Sequence, residues 1–275
     1  MTTLFPGVRR IVAANAGLMT GTGTNTYLLG SAVVAVVDPG PKDPQHLRAI
    51  LAAAPAAIRW IIVTHTHRDH SPLAAELAER TGASLVGLPP PGDGRQDEDF
   101  RPTHQPADGE TIAVDGLRLT AIHTPGHASN CVCYLAAGDG LGAEGLLLTG
   151  DHVLEGVAPV ILAPDGDMSA YLSSLEKLEA YAFDRIAPGH GWILSQGKAM
   201  LGVLRAHRLA RESKVLRRLE QAGAANLASL TTLVYDDVPV ERHPWAQLTL
   251  EAHLIKLARE ARVSVRDGVW RPAAA

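Results

Sequence analysis

The segment that most restricts this chain is Thr64-His65-Thr66-His67-Arg68-Asp69-His70, which follows directly on the apolar run Trp60-Ile61-Ile62-Val63. A short apolar run of this kind reads as a buried strand, and side chains along a strand alternate between its two faces. His65 and His67 therefore project the same way, and the turn that follows can bring Asp69 and His70 round to a neighbouring position. Imidazole and carboxylate are ligands suited to zinc, iron or manganese. Four of them within six consecutive residues leave little room for an explanation by packing alone.

Three later segments supply more of the same chemistry. They are Thr124-Pro125-Gly126-His127, Leu148-Thr149-Gly150-Asp151 and Ala187-Pro188-Gly189-His190. A glycine stands before His127, Asp151 and His190, where it lets the backbone turn sharply and come close to a metal.

The first two thirds of the chain read as strands divided by turns. Residues 26–29 and 32–37 flank Gly30-Ser31 as a hairpin, and 111–114 and 117–122 flank Asp115-Gly116 in the same way. Residues 84–88, 131–136 and 146–148 read as further strands, and 43–54 and 169–182 as helices. Another helix is expected after Ser71 as N-cap, with Pro72 at its first position and Gly82 past its end. Residues 89–106 read as a long surface loop. Strand runs with a few helices between them predict packed sheets with helices outside, an α/β fold. The last segment differs: helices over 200–222, 227–236 and 244–262 are followed by a hairpin at Asp267-Gly268, the pattern of a winged helix.

Charge marks the same division. Residues 1–197 carry 12 Lys/Arg against 21 Asp/Glu, a balance of −9, whereas 198–275 carry 13 against 8, a balance of +5. A boundary near Gly197 is expected, with residues 1–197 as the catalytic domain and 198–275 as a small C-terminal domain. No apolar run approaches the roughly 18 residues that cross a bilayer, so no membrane partner is expected. Met1-Thr2-Thr3-Leu4-Phe5-Pro6 lacks a charged stretch followed by an apolar one, and Cys131 and Cys133 lie two apart on one strand face, unsuited to a disulfide. A cytoplasmic location is the expectation from both features.

The pattern His65-x-His67-x-Asp69-His70, with His127, with Asp151 after Gly150, and with His190 of Pro-Gly-His, resembles the metallo-β-lactamase superfamily. Its order is similar to the glyoxalase II and ribonuclease Z side of that superfamily. The stretch Thr20 to Leu28, Gly150-Asp151-His152-Val153-Leu154 and the three-helix tail resemble the lactamase-beta-2-like branch over nearly the whole chain. The resemblance implies an αββα sandwich with a winged-helix-like C-terminal domain. It implies one metal on His65, His67 and His127, a second on Asp69, His70 and His190, and Asp151 bridging them. Two zinc ions are expected, with iron or manganese as alternatives.

A dinuclear metal-dependent hydrolase follows from that resemblance. Metals about 3.5–4 Å apart provide a bridging hydroxide that attacks the substrate, with Asp69 as the catalytic group that orients it or takes its proton. Single-stranded RNA phosphodiesters are the favoured substrate, making the chain an endoribonuclease; thioesters or other small acyl substrates are the alternative, and a non-hydrolytic metal-binding protein the third.

Weaker signals surround this core. Asn25, in the glycine-rich stretch that begins at Thr20, and His152 are candidate substrate contacts, while a packed or supporting role is the default reading of His123 and His152. His207, Arg211, Lys214 and Arg218 fall on one helical face, where they form either a phosphate-binding stripe, with His207 and Arg211 touching substrate, or simply a solvated face. Aromatic residues make up only 4% of the chain, so no stacking platform for single strands is evident. The tail can also serve as a homodimer contact.

Overall fold

The computed structural model describes residues 1–142 and 144–273. Strands β1 (Thr2–Phe5), β2 (Val8–Val12), β3 (Asn25–Leu29), β4 (Val34–Val37), β5 (Ile58–Ile62) and β6 (Ser84–Val86) lie in that order in one sheet. β3 and β4 form the hairpin expected around Gly30, which adopts a φ of 95°. Helix α1 (Pro44–Ala53) carries the chain over to β5, and α2 (Ala74–Thr81) carries it on to β6, so β4, β5 and β6 run parallel. Asp43 caps α1 by accepting from the Gln45 amide.

Two local expectations change. Ser71 does not cap α2; its hydroxyl donates to Asp97 Oδ2 at 2.6 Å, and the helix starts only after Leu73. Gly82 does end that helix, in the left-handed conformation that glycine adopts without penalty. Strands β1 and β2 add to the expected elements; β1 is a half-exposed edge without an apolar alternation to announce it.

Strands β7 (Thr111–Val114), β8 (Leu117–His123), β9 (Val132–Gly138), β10 (Leu146–Gly150) and β11 (Arg185–Pro188) build the second sheet in the order 11-10-9-8-7. Asp115 and Gly116 join β7 to β8 with positive φ at both positions, as a two-residue hairpin requires. Val37, Ile62, Leu119, Tyr134 and Leu148 belong to the apolar layer between the sheets. Leu47, Ile50, Leu73 and Leu77 cover the outer face of the first sheet, and helix α3 (Met168–Leu178) with the start of α4 (Gly197–Ala222) covers the second. The result is a four-layer αββα sandwich.

The C-terminal module contains the rest of α4, then β12 (Ala225–Asn226), α5 (Leu227–Val234), α6 (His243–Arg259), β13 (Val263–Arg266) and β14 (Val269–Pro272). Its three strands pair in the order 12-14-13 over a separate core of Val215, Leu219, Leu230, Leu250, Leu254 and Trp270. The apolar clusters divide within α4, not at its first residue: Leu201 and Leu204 pack with the sandwich, Val215 and Leu219 with the module. Cys131 and Cys133 are buried free thiols. Among the described residues no helix is long and apolar enough to cross a membrane.

Candidate metal centre

The segments that follow β5, β8, β10 and β11 all open on one edge of the sandwich, and there the seven expected ligand residues converge. His67 Nδ1 lies 3.0 Å from His65 Nε2 and 2.9 Å from His127 Nε2. Beside this trio, Asp69 Oδ2 lies 3.2 Å from both His70 Nε2 and His190 Nε2. Asp151 sits between the two groups, with Oδ1 3.4 Å from His70 Nε2 and Oδ2 3.7 Å from His127 Nε2 and 3.4 Å from His190 Nε2.

The opposite ring nitrogens are held by the scaffold, which fixes which nitrogen faces the cluster. His127 Nδ1 donates to the Val160 carbonyl at 2.6 Å and His190 Nδ1 to the Gly23 carbonyl at 3.2 Å. His70 Nδ1 donates to Asp38 Oδ2 at 3.0 Å, and His65 Nδ1 to Thr64 Oγ1 at 3.1 Å, whose hydroxyl in turn donates to Asp38. Asp38 and Thr64 thus anchor two of the histidines. Thr24 does the same for a carboxylate, its hydroxyl donating to Asp69 Oδ2 at 2.9 Å.

The three glycines act in different ways. Gly126 and Gly150 hold positive φ, where a Cβ would collide with Tyr171 and Thr64 respectively. Gly189 has an ordinary φ, but a Cβ there would collide with Asp151 Oδ1 and His70 Cε1. Close approach, not backbone conformation, demands glycine at that position.

Electrostatics sort the cluster. Burial pushes the His65 and His67 rings down, to about 3 for His67, and nearby imidazolium charge adds to the effect, so both present neutral lone pairs. Burial disfavours the carboxylates of Asp69 and Asp151, yet the positive charge of His70 and the close approach of His190 hold both well below the usual range. Burial also lowers His190, but Asp151 and Asp69 more than offset it and raise the ring to about 9.

The donor set fits metal ions. His70 Nε2 and Asp151 Oδ1 are buried without a hydrogen-bond partner, an arrangement that is costly unless something else engages them. Ligand atoms fall into three groups, each within 4.8 Å: His65, His67 and His127; His65, His70 and Asp151; Asp69, His70 and His190. Nitrogen and carboxylate donors without a thiolate suit zinc, iron or manganese.

The cluster forms the floor of a cavity lined also by Met19, Thr20, Val160, Leu162, Trp245 and Leu248. From His127 and Asp151 a cleft of about 430 Å³ runs on between the sandwich and the C-terminal module. The sandwich side contributes Leu18, Met19, Leu154, Val157 and Val160, and the module contributes Tyr235, Val238, Trp245 and Ala246.

The weaker candidates fare unevenly. Asn25 is not in this cleft; its side-chain amide donates to the Pro188 and Gly191 carbonyls at 2.9 Å and so braces the loop that carries His190. His152 is fully buried, against Tyr171 with ring centroids 4.8 Å apart, and faces no open space. His123 is tied to the Pro106 carbonyl at 2.8 Å. His207 and Arg211 do line the cleft. The basic stripe, however, is answered by acids from the loop after α5: Arg211 holds Asp237 through its two terminal guanidinium nitrogens, and Lys214 and Arg218 hold Asp236. Those two aspartates lie some twenty positions downstream, where no helical spacing reveals them.

A helix–sheet–sheet–helix sandwich with this His/Asp cluster at its edge defines a class of metal-dependent hydrolases. The chain belongs to the metallo-β-lactamase superfamily: residues 19–190 match that family, and residues 227–270 match the beta-lactamase associated winged helix domain. A beta-lactamase-like protein 2 homolog of Drosophila melanogaster is 33% identical, over 96% of this chain and 92% of the relative. An atrochrysone carboxyl ACP thioesterase of Aspergillus chevalieri is 28% identical, over 98% of this chain and 86% of the relative. Among solved structures, a metallo-beta-lactamase family protein of Thermus thermophilus shares the fold with a TM-score of 0.79 at 24% identity, covering 97% of this chain and 99% of that one.

Proposed function

We propose that the chain hydrolyses the acyl bond of a thioester or related small-molecule substrate at a two-metal centre, with the C-terminal module forming one wall of the substrate cleft. The observation that carries this reading is the continuity of the cleft from His127 and Asp151 to Tyr235, Val238, Trp245 and Ala246. A largely apolar channel leading to a polar floor suits an organic acyl group. A polyanion instead needs a run of unpaired cations, and here Arg211, Lys214 and Arg218 are already engaged by Asp236 and Asp237. The similarity to a protein named as a thioesterase supports the same direction.

In this reading His65, His67 and His127 hold one ion, Asp69, His70 and His190 hold the other, and Asp151 lies between them. Zinc is the ion assigned to both positions, and the cytoplasm the compartment. When bound, such a pair supplies an activated water and positive charge opposite the oxyanion that develops on the acyl carbon. Asp69 has the more accessible of the two carboxylates, its side chain 26% exposed against 11% for Asp151, and it orients the attacking water and accepts its proton. Thr24 fixes the rotamer in which it does so. Val160, Leu162 and Leu248 keep bulk water from the reacting centre.

Single-stranded RNA is the second reading, supported by the excess of 5 positive charges after residue 197. One experiment separates the two. Zinc-loaded protein is given hexanoyl-N-acetylcysteamine, with release of thiol followed, and in parallel labelled single-stranded RNA, each beside an Asp69→Ala control. Thiol release that disappears in the control is the expected result. RNA cleavage that disappears in the control, without any thiol release, overturns the acyl reading.

A further inference from the structure

The cleft holds a buried charge for which the described residues supply no counter-charge. Arg208, in the middle of α4, lines the cleft and is only 3% exposed. One terminal nitrogen donates to the Pro159 carbonyl, and the guanidinium lies 5.3 Å over the Tyr171 ring. Its Nε has no hydrogen-bond partner, and among the described residues no carboxylate forms an ion pair with it. Burying a guanidinium in this way is costly unless an anion joins it.

A second cation stands along the same cleft. Arg242 lines it and is exposed, beside Trp245, and takes part in no ion pair among the described residues. The adjacent Glu241 does not line the cleft. Arg211, by contrast, is held by Asp237 and packed over the Tyr235 ring at 4.4 Å. His207 is held neutral, since burial and the neighbouring Arg208 and Arg211 lower its pKa. The uncommitted positive charge of the cleft therefore belongs to Arg208 and Arg242.

We propose that the cleft contains an anion subsite, formed by Arg208 and Arg242, that receives a negatively charged group of the substrate remote from the bond being cleaved. The subsite rests on the cleft geometry alone, while its role in selecting an acyl substrate rests on the function proposed above. Leu154, Val157 and Val238 line the same cleft and offer apolar surface to the body of the substrate. The anion is a carboxylate or a phosphate, borne either on the acyl chain or on the departing thiol, and guanidinium receives both through paired N–H groups.

Calorimetry on the zinc-loaded full chain compares suberate with octanoate, which differ only in the second carboxylate. Kinetics then compare two matched pairs of thioesters. Adipoyl- and hexanoyl-N-acetylcysteamine test an anion on the acyl side. Hexanoyl-4′-phosphopantetheine and hexanoyl-pantetheine test one on the thiol side. At least one pair is expected to favour its charged member by about ten- to hundredfold, the range of a charge-assisted hydrogen bond, and to do so through KM.

Arg242→Ala collapses that margin and Arg242→Lys keeps part of it; Arg208→Lys, which retains a charge in the buried position, also narrows it. The pair that responds identifies the source of the anion. A margin absent from the acids and from both thioester pairs, or one untouched by Arg242→Ala and Arg208→Lys, overturns the subsite. Arginine-dependent preference for suberate without turnover of any thioester leaves the subsite standing and removes the acyl-hydrolase reading.

Discussion

Asp38 Oδ2 stands 3.0 Å from His70 Nδ1, and the same carboxylate accepts from the Thr64 amide and hydroxyl at 2.8 Å each. One side chain thereby fixes both the start of the ligand-bearing turn and the direction of its last histidine. Asp38→Asn keeps the size and tolerates the φ of 49°, but loses the charge that draws the His70 proton to Nδ1. Metal affinity is expected to fall about 10–100-fold, as for other groups that orient a metal-binding histidine. Competition with a chromogenic chelator measures it; unchanged affinity would mean that His70 needs no such anchor.

Asp69→Ala removes a proposed ligand and proton acceptor while leaving the apolar layers intact. Hydrolysis is expected to drop about a hundred- to ten-thousandfold in kcat, the usual range for a positioned acid or base. The thermal unfolding midpoint of the metal-free protein, read by circular dichroism, should fall only modestly, because His70, His190 and Thr24 lose one partner at a partly exposed position. A variant that retains kcat assigns the proton transfer elsewhere.

Gly189→Ala tests close approach. The added methyl meets Asp151 Oδ1 and His70 Cε1, so these side chains must move apart. Bound metal, measured by elemental analysis of the purified protein, is expected to fall below the wild-type content. Full metal content would show that the loop before His190 shifts without disturbing the cluster.

The module between α4 and α6 carries its own pH dependence. Glu212 is buried with Lys256 Nζ 2.8 Å and Arg262 Nη1 3.4 Å away. Burial disfavours its charge, but the neighbouring His253 and Lys256 outweigh that and lower its pKa below the ordinary 4.5. A depressed carboxylate contributes stability above its unfolded value and loses it as pH falls through the folded one. Lys256 has the opposite sign: its raised pKa contributes below the ordinary 10.5 and is lost at higher pH. Unfolding midpoints should therefore decline on the acid side, and Glu212→Gln should flatten that decline. An unaltered acid limb in the variant would place the responsible carboxylate elsewhere.

The sequence made the seven-residue cluster legible because its chemistry is concentrated. Four ligand residues follow one apolar strand, and the other three each end a strand behind a glycine. The strand hairpins at Gly30 and Asp115-Gly116 were equally local. What escaped were partnerships across distance. Asp38 reads as a strand terminator until folding brings it to His70, and Thr24 reads as part of a glycine-rich turn until it reaches Asp69. The stripe of His207, Arg211, Lys214 and Arg218 looks cationic on a helical wheel, and only the loop carrying Asp236 and Asp237 discharges it. His123 and His152 flank ligand segments in sequence, and Asn25 lies in the glycine-rich stretch after Thr20, but all three are engaged by the scaffold. Polarity beside a site marks support as readily as contact, and alternation along a strand does not distinguish the two.

Helix α4 spans 26 residues without a proline and gives its first turns to one apolar core and its later turns to another. At 1.5 Å per residue it is a rod of about 39 Å, and a helix lacking proline or an inserted side chain resists sharp bending. The two lobes are thus mounted on a common axle, and the slot between them has a fixed gauge. On the acyl reading proposed above, that axle sets the breadth a substrate can have and leaves its length as the dimension free to differ.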